Sequence, residues 1–153
     1  MDSITYKKSQ TGWILLGILP IVMLYIFLSY YYQWGDQPLS YEYMLIFIGV
    51  FGFILLIFYN LTIYIQGKTI HVKFGIGLIH IKIPIEKLHE AKMVKTPWWY
   101  GWGIRVTPQG MLYNVYGRDA VKVNYTGKGK TKTVLLGSAE PEELLKHIKQ
   151  IQN

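Results

Sequence analysis

The chain has 153 residues, of which 51% are hydrophobic and 16% are charged, and its mean hydropathy of +0.20 is too high for an average soluble domain of this size. It has no cysteine, which excludes a disulfide framework, thiolate metal sites and a cysteine nucleophile. The net charge is +7, and 14 of the 16 Lys and Arg residues lie from Lys68 onward. The sequence therefore predicts an apolar membrane part joined to a basic, water-soluble part.

The first predicted element is a membrane helix over residues 13–32. At about 1.5 Å per residue, a helix of this length spans the roughly 30 Å hydrocarbon core of a bilayer. The run is too long for the hydrophobic region of a signal peptide and ends in tyrosines rather than in a small-residue cleavage site, so we expect it to be retained. Pro20 lies inside it and is expected to kink the helix.

A second apolar run, residues 43–60, predicts a second membrane helix, and aromatic residues mark the predicted helix ends as in interfacial belts. The connection at 33–42 has no Lys or Arg, whereas Lys7 and Lys8 precede the first run and Lys68 follows the second. This bias predicts a multi-pass protein of the cell (plasma) membrane with both termini in the cytoplasm. The alternative is a buried hairpin in a soluble protein, but the remaining chain is too small to cover two uncharged helices.

Residues 61–153 are predicted to form one β-rich cytoplasmic domain, separate from the N-terminal segment and helices of residues 1–60. Eight short runs alternate in polarity as half-buried strands do and are separated by glycine or proline turns: LTIYIQ, TIHVKF, LIHIKI, HEAKMVK, GIRVT, MLYNVY, AVKVNY and KTVLL. Such spacing is typical of an antiparallel sandwich or barrel.

The hairpin of residues 69–83 has a predictable register. Pairing Phe74 with Ile79 puts the apolar side chains of both strands on one face and the turn at residues 75–78. The opposite face then carries four basic side chains, the cationic quartet: His71, Lys73, His80 and Lys82. Because like charges across a sheet repel weakly, the quartet predicts either an anionic neighbour or a solvated outer face.

The last predicted element is an amphipathic helix, PEELLKHIKQIQ. Its apolar residues recur at helical spacing: Leu144, Leu145, Ile148 and Ile151. Pro141 and two glutamates in the first turn, with basic residues later, match the helix dipole. We expect this helix to lie over one opening of the β-structure.

Antiparallel strands closed by one C-terminal amphipathic helix resemble a pleckstrin-homology (PH) fold. The runs WWYGWGIR and GMLYNVYGRDAVKV, followed by a glycine turn and SAEPEELL, are similar to the PH-like domain behind two membrane helices in small bacterial membrane proteins. The resemblance covers residues 61–153, and the helical hairpin also matches. Lipid-binding PH domains of eukaryotes typically carry several basic residues in the first loop between strands and a tryptophan in the C-terminal helix. Here the first loop, residues 66–68, carries one lysine, and the C-terminal helix has no tryptophan. Both departures argue against phosphoinositide binding.

Two further segments are candidate lipid-binding or partner-binding sites. One is an aromatic loop made of Trp98, Trp99, Tyr100 and Trp102. Its rings are suited either to a membrane interface or partner surface, or to filling the mouth of a barrel.

The other candidate is a predicted hairpin tip with Lys128, Lys130 and Lys132, which is either attracted to anionic lipid or merely solvated. The tip lacks the spacing and the following helix of a phosphate-binding loop. Nucleic acid is not an expected partner, because a cytoplasmic domain beside an anionic leaflet explains the positive charge.

The sequence contains no recognisable catalytic arrangement. His89 adjoins Glu90, but neighbours in a strand point to opposite faces, and His71 with His80 would need a third ligand to hold a metal. We therefore expect a non-enzymatic, membrane-anchored PH-like module, without cofactor or metal, that binds a protein partner or anionic lipid headgroups at the inner leaflet. The alternative is an accessory subunit or small oligomeric channel or transport component whose helices assemble.

Overall fold

The computed structural model describes residues 4–151, which form two apolar helices and a β-domain. Helix α1 spans Trp13–Tyr31 and helix α2 spans Tyr41–Phe58. The β-domain contains the remaining elements: β1 (Ile4–Thr11), β2 (Asn60–Gln66), β3 (Thr69–Phe74), β4 (Ile79–Pro84), β5 (Lys87–Lys95), a short 3-10 helix (Trp98–Tyr100), β6 (Gly103–Thr107), β7 (Gly110–Asn114), β8 (Asp119–Gly127), β9 (Lys130–Gly137) and α3 (Pro141–Gln150).

Both apolar helices are long and apolar enough to cross a membrane, and their ends lie within two residues of the predicted ones. They pack on each other, but of their residues only Leu19 and Met44 are buried. The β-domain therefore does not cover them, and the buried hairpin of a soluble protein is not what the chain forms.

The helical hairpin is an insertion between two paired strands. β1 pairs antiparallel with β2, with Thr11 opposite Asn60, and the Gly12 N–H donates to the Tyr59 carbonyl at 2.8 Å. The sequence pattern did not predict β1. The β-domain thus takes in residues on both sides of the helices, and a boundary at residue 61 leaves out one of its strands.

The β-domain is built from two sheets, with strand orders β1-β2-β3-β4 and β5-β8-β9-β7-β6. They do not close into one barrel. All pairings are antiparallel except β7 with β9, so the prediction of a fully antiparallel structure is wrong for this pair. β9 lies between β7 and β8, and these two strands run in opposite directions. Because β9 is antiparallel to β8, it is parallel to β7.

The predicted hairpin of β3 and β4 is confirmed. Phe74 lies opposite Ile79, and His71 lies opposite Lys82. The register puts Val72 and Phe74 in the core, where both are fully buried. The cationic quartet accordingly occupies the outer face of the first sheet.

The core lies between the inner faces of the two sheets and is covered by α3, which packs on β1, β5 and β8. Its fully buried members come from both sheets, from the residue after β7 and from α3: Leu61, Ile65, Ile70, Val72, Phe74, Val115, Val121, Val123, Leu136, Leu144 and Ile148. Pro141 begins α3 and Glu142 and Glu143 fill its first turn, as predicted.

The alternating strand directions give the β-domain two ends. The helix end, next to α1 and α2, carries the β3–β4 turn (75–78), the β5–β6 loop (96–102) and the β7–β8 loop (115–118). The distal end carries the β2–β3 and β8–β9 turns (67–68 and 128–129). The nine residues of β8 separate the two ends by about 26 Å at roughly 3.3 Å per residue.

Candidate functional site at the helix end of the β-domain

The β3–β4 turn lies against the last turn of α2. The Gly75 N–H donates to the Asn60 carbonyl at 2.7 Å, and Gly75 has a φ of 51°. A Cβ at this position would overlap the carbonyl oxygens of Leu56 and Ile57, so only glycine fits the contact. The tip of the turn holds Ile76 and Leu78 out from the domain, 56% and 60% exposed.

The aromatic loop lies on another side of the same end. Its 3-10 helix begins after Pro97, and Trp98 and Trp99 are 74% and 67% exposed. Neither Tyr100 nor Trp102 is buried. The alternative that these rings fill the mouth of the β-structure is therefore wrong, because none of the four is buried and none belongs to the core cluster.

The β7–β8 loop completes the helix end. The Gln10 side-chain Nε2 donates to the Tyr116 carbonyl at 2.6 Å, which ties this loop to the strand that leads into α1. The Asn114 side chain donates to the Gly117 carbonyl at 3.0 Å and holds the loop in shape. The Tyr116 ring itself stays exposed.

Exposed apolar side chains are concentrated at this end. Among the described residues outside 12–59, nine large hydrophobic side chains are exposed, and three of them are dispersed along strands: Ile4, Met93 and Val106. The other six form what we call the helix-end apolar surface: Ile76, Leu78, Trp98, Trp99, Trp102 and Tyr116. All six lie in loops at one end of the β-domain, and exposed apolar patches are typical of lipid or protein contacts.

Two adjoining clefts lie where the loops meet the helices, and Trp102 with Gly101 lines both. The larger, about 440 Å³, has Leu15, Ile54, Phe58, Gly103, Ile104 and Arg105 as its other lining residues. The smaller, about 250 Å³, is bounded by Ile14, Thr96, Pro97, Trp98, Tyr116, Gly117 and Arg118. Each cleft thus combines apolar helix residues with one arginine.

The only two arginines of the chain are both held by carbonyls of the β5–β6 loop. Arg105 Nε donates to the Trp102 carbonyl at 3.3 Å, and Arg118 Nε donates to the Thr96 carbonyl at 3.1 Å. Neither arginine forms a salt bridge within residues 4–151. Among the hydrogen bonds and salt bridges of the described residues, each guanidinium uses its Nε and neither terminal nitrogen.

The structure separates the predicted lysine tip from the aromatic loop. Lys128, Lys130 and Lys132 lie at the distal end, where the Lys128 N–H donates to Glu86 at 2.9 Å. The tip lies beside Lys82, with which Lys128 and Lys132 line a small cleft. The two candidate sites therefore lie at opposite ends of the β-domain, because β8 extends from one end to the other.

The cationic quartet is organised around three stacked or hydrogen-bonded rings. Tyr64 stacks on His71 with a centroid distance of 4.5 Å, and His71 Nδ1 lies 3.0 Å from His80 Nε2. His71 is only 8% exposed, and this burial, together with the charges of His80 and Lys82, lowers the pKa of its imidazole. Lys73 lies opposite His80 and adds to the positive charge of this face.

The remaining histidines make structural contacts. His89 Nε2 lies 2.7 Å from Thr126 Oγ1, and the His147 ring packs on Tyr6. Glu90 pairs with Lys92 at 2.9 Å rather than with its neighbour His89. Within residues 4–151, no three His, Asp or Glu side chains are grouped so as to hold a metal ion.

Sequence reasoning missed Ile76, Leu78, Arg105 and Arg118. The available signal was strand direction: β2 runs away from α2, so the turn after β3 must return to it. Ile76 and Leu78 are two apolar residues in this glycine turn. Their position predicts that they contact the same apolar environment as the ends of the helices.

In comparisons with known proteins, the chain matches no protein-family model, no curated protein and no solved structure.

Proposed function

We propose that the chain is a membrane-anchored module in which α1 and α2 cross the bilayer and hold the helix end of the β-domain against one leaflet. The helix-end apolar surface enters the headgroup region there, and the distal end is presented to a protein partner. The module acts by binding and carries out no reaction. The observation that carries the proposal is the grouping of six exposed large apolar side chains around the bases of two uncovered apolar helices.

The short connections support close contact with the bilayer. Gly12 alone separates β1 from α1, and Tyr59 alone separates α2 from β2. With two such connections, the domain has no linker that would let it move away from the headgroups. Tryptophan side chains partition into the interface between lipid and water, so Trp98 and Trp99 stabilise the same orientation.

Strand pairing and charge support the sidedness. Because β1 pairs with β2, both strands must lie on one side of the membrane, which requires an even number of crossings. All 16 Lys and Arg residues lie in β1 or from Lys68 onward, on the domain side. The positive-inside rule supports the cytoplasm as this side, and we propose the cell membrane as the membrane that the helices cross.

The PH-like fold and the kinship with small bacterial membrane proteins remain hypotheses. Two packed sheets and a C-terminal helix support them. The parallel pairing of β7 with β9 departs from the antiparallel pattern that the resemblance implies.

Quenching of tryptophan fluorescence by brominated lipids tests the proposal. We would incorporate the full-length protein, with Trp13, Trp34 and Trp102 replaced by phenylalanine, into nanodiscs of brominated phosphatidylcholine. We expect strong quenching of Trp98 and Trp99, because bromine quenches only rings within contact distance.

A distal tryptophan provides the matched control. Gln109→Trp, in a chain whose five natural tryptophans are phenylalanine, places one ring in the exposed β6–β7 turn at the distal end. Weak quenching is expected there. Equal quenching at both positions would contradict the proposed orientation.

The alternative, an oligomeric channel or transport component, would cover the same uncovered helices with further copies or other subunits. Crosslinking in native membranes separates the two: a ladder of homo-oligomers favours the alternative, and a discrete heteromeric product favours the module.

A further inference from the structure

Each of the two clefts beside Trp102 combines apolar walls with an arginine. Insertion of an apolar surface into the headgroup region does not require an arginine at these positions. Their lower walls come from the helices, with Leu15, Ile54 and Phe58 in the larger cleft and Ile14 in the smaller. Their upper rims carry Arg105 and Arg118. Apolar surface below and a cation above is the arrangement of a phospholipid that stands in a bilayer, with its chains below its phosphate.

We propose that these paired clefts bind anionic phospholipid, with a lipid phosphate held by Arg105 in the larger cleft and by Arg118 in the smaller, and with the acyl chains packed beside Trp102 on the helix residues. This inference rests on the proposed function, because acyl chains reach the clefts only if α1 and α2 lie in the bilayer. It goes further by assigning a specific site, which general interfacial contact does not need.

The charges around the clefts support an anionic ligand. Among the described residues, the lining of both clefts contains no Asp or Glu. The nearest acid along the chain, Asp119, lines a different cleft together with Lys95 and Glu142. The positive charge of the two guanidinium groups is therefore not neutralised by the protein.

The arginines are also preorganised for phosphate. Each uses its Nε to bind a loop carbonyl, which fixes the plane of the guanidinium and leaves its terminal N–H groups to form charge-assisted hydrogen bonds. Arginine binds phosphate oxygens through such a planar fork, whereas lysine acts as a point charge. Fixing the plane before binding reduces the entropy lost when the ligand is held.

The apolar walls distinguish a phospholipid from a free phosphate ester. A soluble ester would leave Leu15, Ile54 and Phe58 in contact with water, whereas the chains of a lipid cover them. A phospholipid, unlike a soluble ester, matches both the apolar walls and the arginine of each cleft.

Native mass spectrometry of lipid retention tests the assignment. The full-length protein is equilibrated in nanodiscs with equal amounts of phosphatidylglycerol and phosphatidylcholine, released, and its retained lipids are counted. We expect preferential retention of phosphatidylglycerol, reduced about fivefold by Arg105→Gln or Arg118→Gln and more by both together. Lys130→Gln, at the distal end, is the matched control and should retain the wild-type preference.

Three results would overturn the site: no preference in the wild type, an unchanged preference in the double variant, or displacement of the retained lipid by excess glycerol phosphate. The last would identify a site for soluble phosphate esters. Quenching of Trp98 and Trp99 is measured on the same double variant. If the double variant shows persistent quenching and an unchanged lipid preference, only the lipid site is rejected. If Trp98 and Trp99 are not quenched even in the protein that keeps both arginines, the proposed function is rejected.

Discussion

Gly75 joins the β-domain to α2 through a contact that has no room for a side chain. Its amide binds Asn60, and the carbonyls at the end of α2 occupy the space where a Cβ would be. The orientation of the domain on the helices therefore depends on one residue in a turn. The turn also carries Ile76 and Leu78, so a shift at Gly75 would displace part of the helix-end apolar surface.

We expect Gly75→Ala to lower the free energy of unfolding by about 1–3 kcal/mol more than Gly129→Ala, because overpacking adds to the strain of a left-handed residue. Gly129 is the matched control, since its φ of 70° is similar but no atom lies within 4 Å of its Cβ position. Denaturant unfolding of the full-length variants in nanodiscs measures both. Equal losses would show that the contact with α2 contributes nothing.

At the scale of elements, the strands differ in how clearly the sequence predicts them. All eight strands after α2 were predicted, as was the register of β3 on β4, because their inward residues are apolar and alternate. β1 was missed because only Tyr6 among its inward residues is apolar. Lys8 instead pairs with Glu140, and Gln10 binds the β7–β8 loop, so the alternation is hidden by polar partners that come from distant parts of the chain.

The outer face of the first sheet is an element-scale source of pH dependence. The charged and titratable groups around His71 on this face are His80, Lys82 and Lys73. Lys7 of β1 lies opposite Tyr64 of β2, which in turn lies opposite His71. The four strands of this sheet contain no Asp or Glu within the described residues. A positive charge on His71 would therefore lie among these basic side chains with no carboxylate on the described strands of the sheet to offset it.

We expect the β-domain to lose stability as the pH falls below about 6.5, the ordinary histidine pKa. The pKa of His71 is lowered in the folded state, by burial first and then by nearby positive charge, so the unfolded chain binds more protons over this range. The stabilisation is present above pH 6.5 and is lost as the pH falls through the folded pKa. Thermal unfolding of the full-length protein from pH 7.5 to pH 5 measures the loss.

A matched pair of variants assigns the effect. His71→Gln should flatten the pH dependence, whereas His89→Gln, on the second sheet, should not. If the two variants behave alike, His71 is not the group responsible.

At the scale of the whole molecule, the position of the lysine tip could not be predicted from composition. Lys128 and Lys130 have the charge that an anionic leaflet attracts, and only the direction of β8 shows that they lie at the distal end. The aromatic loop was predicted as a surface, but its neighbours at the helix end were not, since they meet through contacts between residues far apart in the sequence. Charge alone therefore identified basic residues without locating them.

For the molecule as a whole, we predict that the β-domain lies on the cytoplasmic side of the membrane and the α1–α2 connection on the other side. Because the chain lacks cysteine, single substitutions Asp36→Cys and Lys130→Cys report on each side without a background signal. We expect a membrane-impermeant maleimide to label Asp36→Cys in intact cells and Lys130→Cys only after lysis. Labelling of Lys130→Cys in intact cells would reverse the topology and remove the inner leaflet from the proposal.

The pairing of β1 with β2 also has a consequence for biogenesis. β1 leaves the ribosome first, yet its partner follows only after roughly 50 further residues, a loop whose closure in water is costly. In the proposed membrane topology, insertion of α1 and α2 as a hairpin would bring Thr11 and Asn60 together, so the bilayer would provide the closure that the sheet needs. Copies whose hairpin fails to insert would keep β2 as an open edge, which is a surface that quality-control proteases and chaperones recognise. Under the proposed topology, membrane insertion would thereby be a checkpoint for folding of the β-domain.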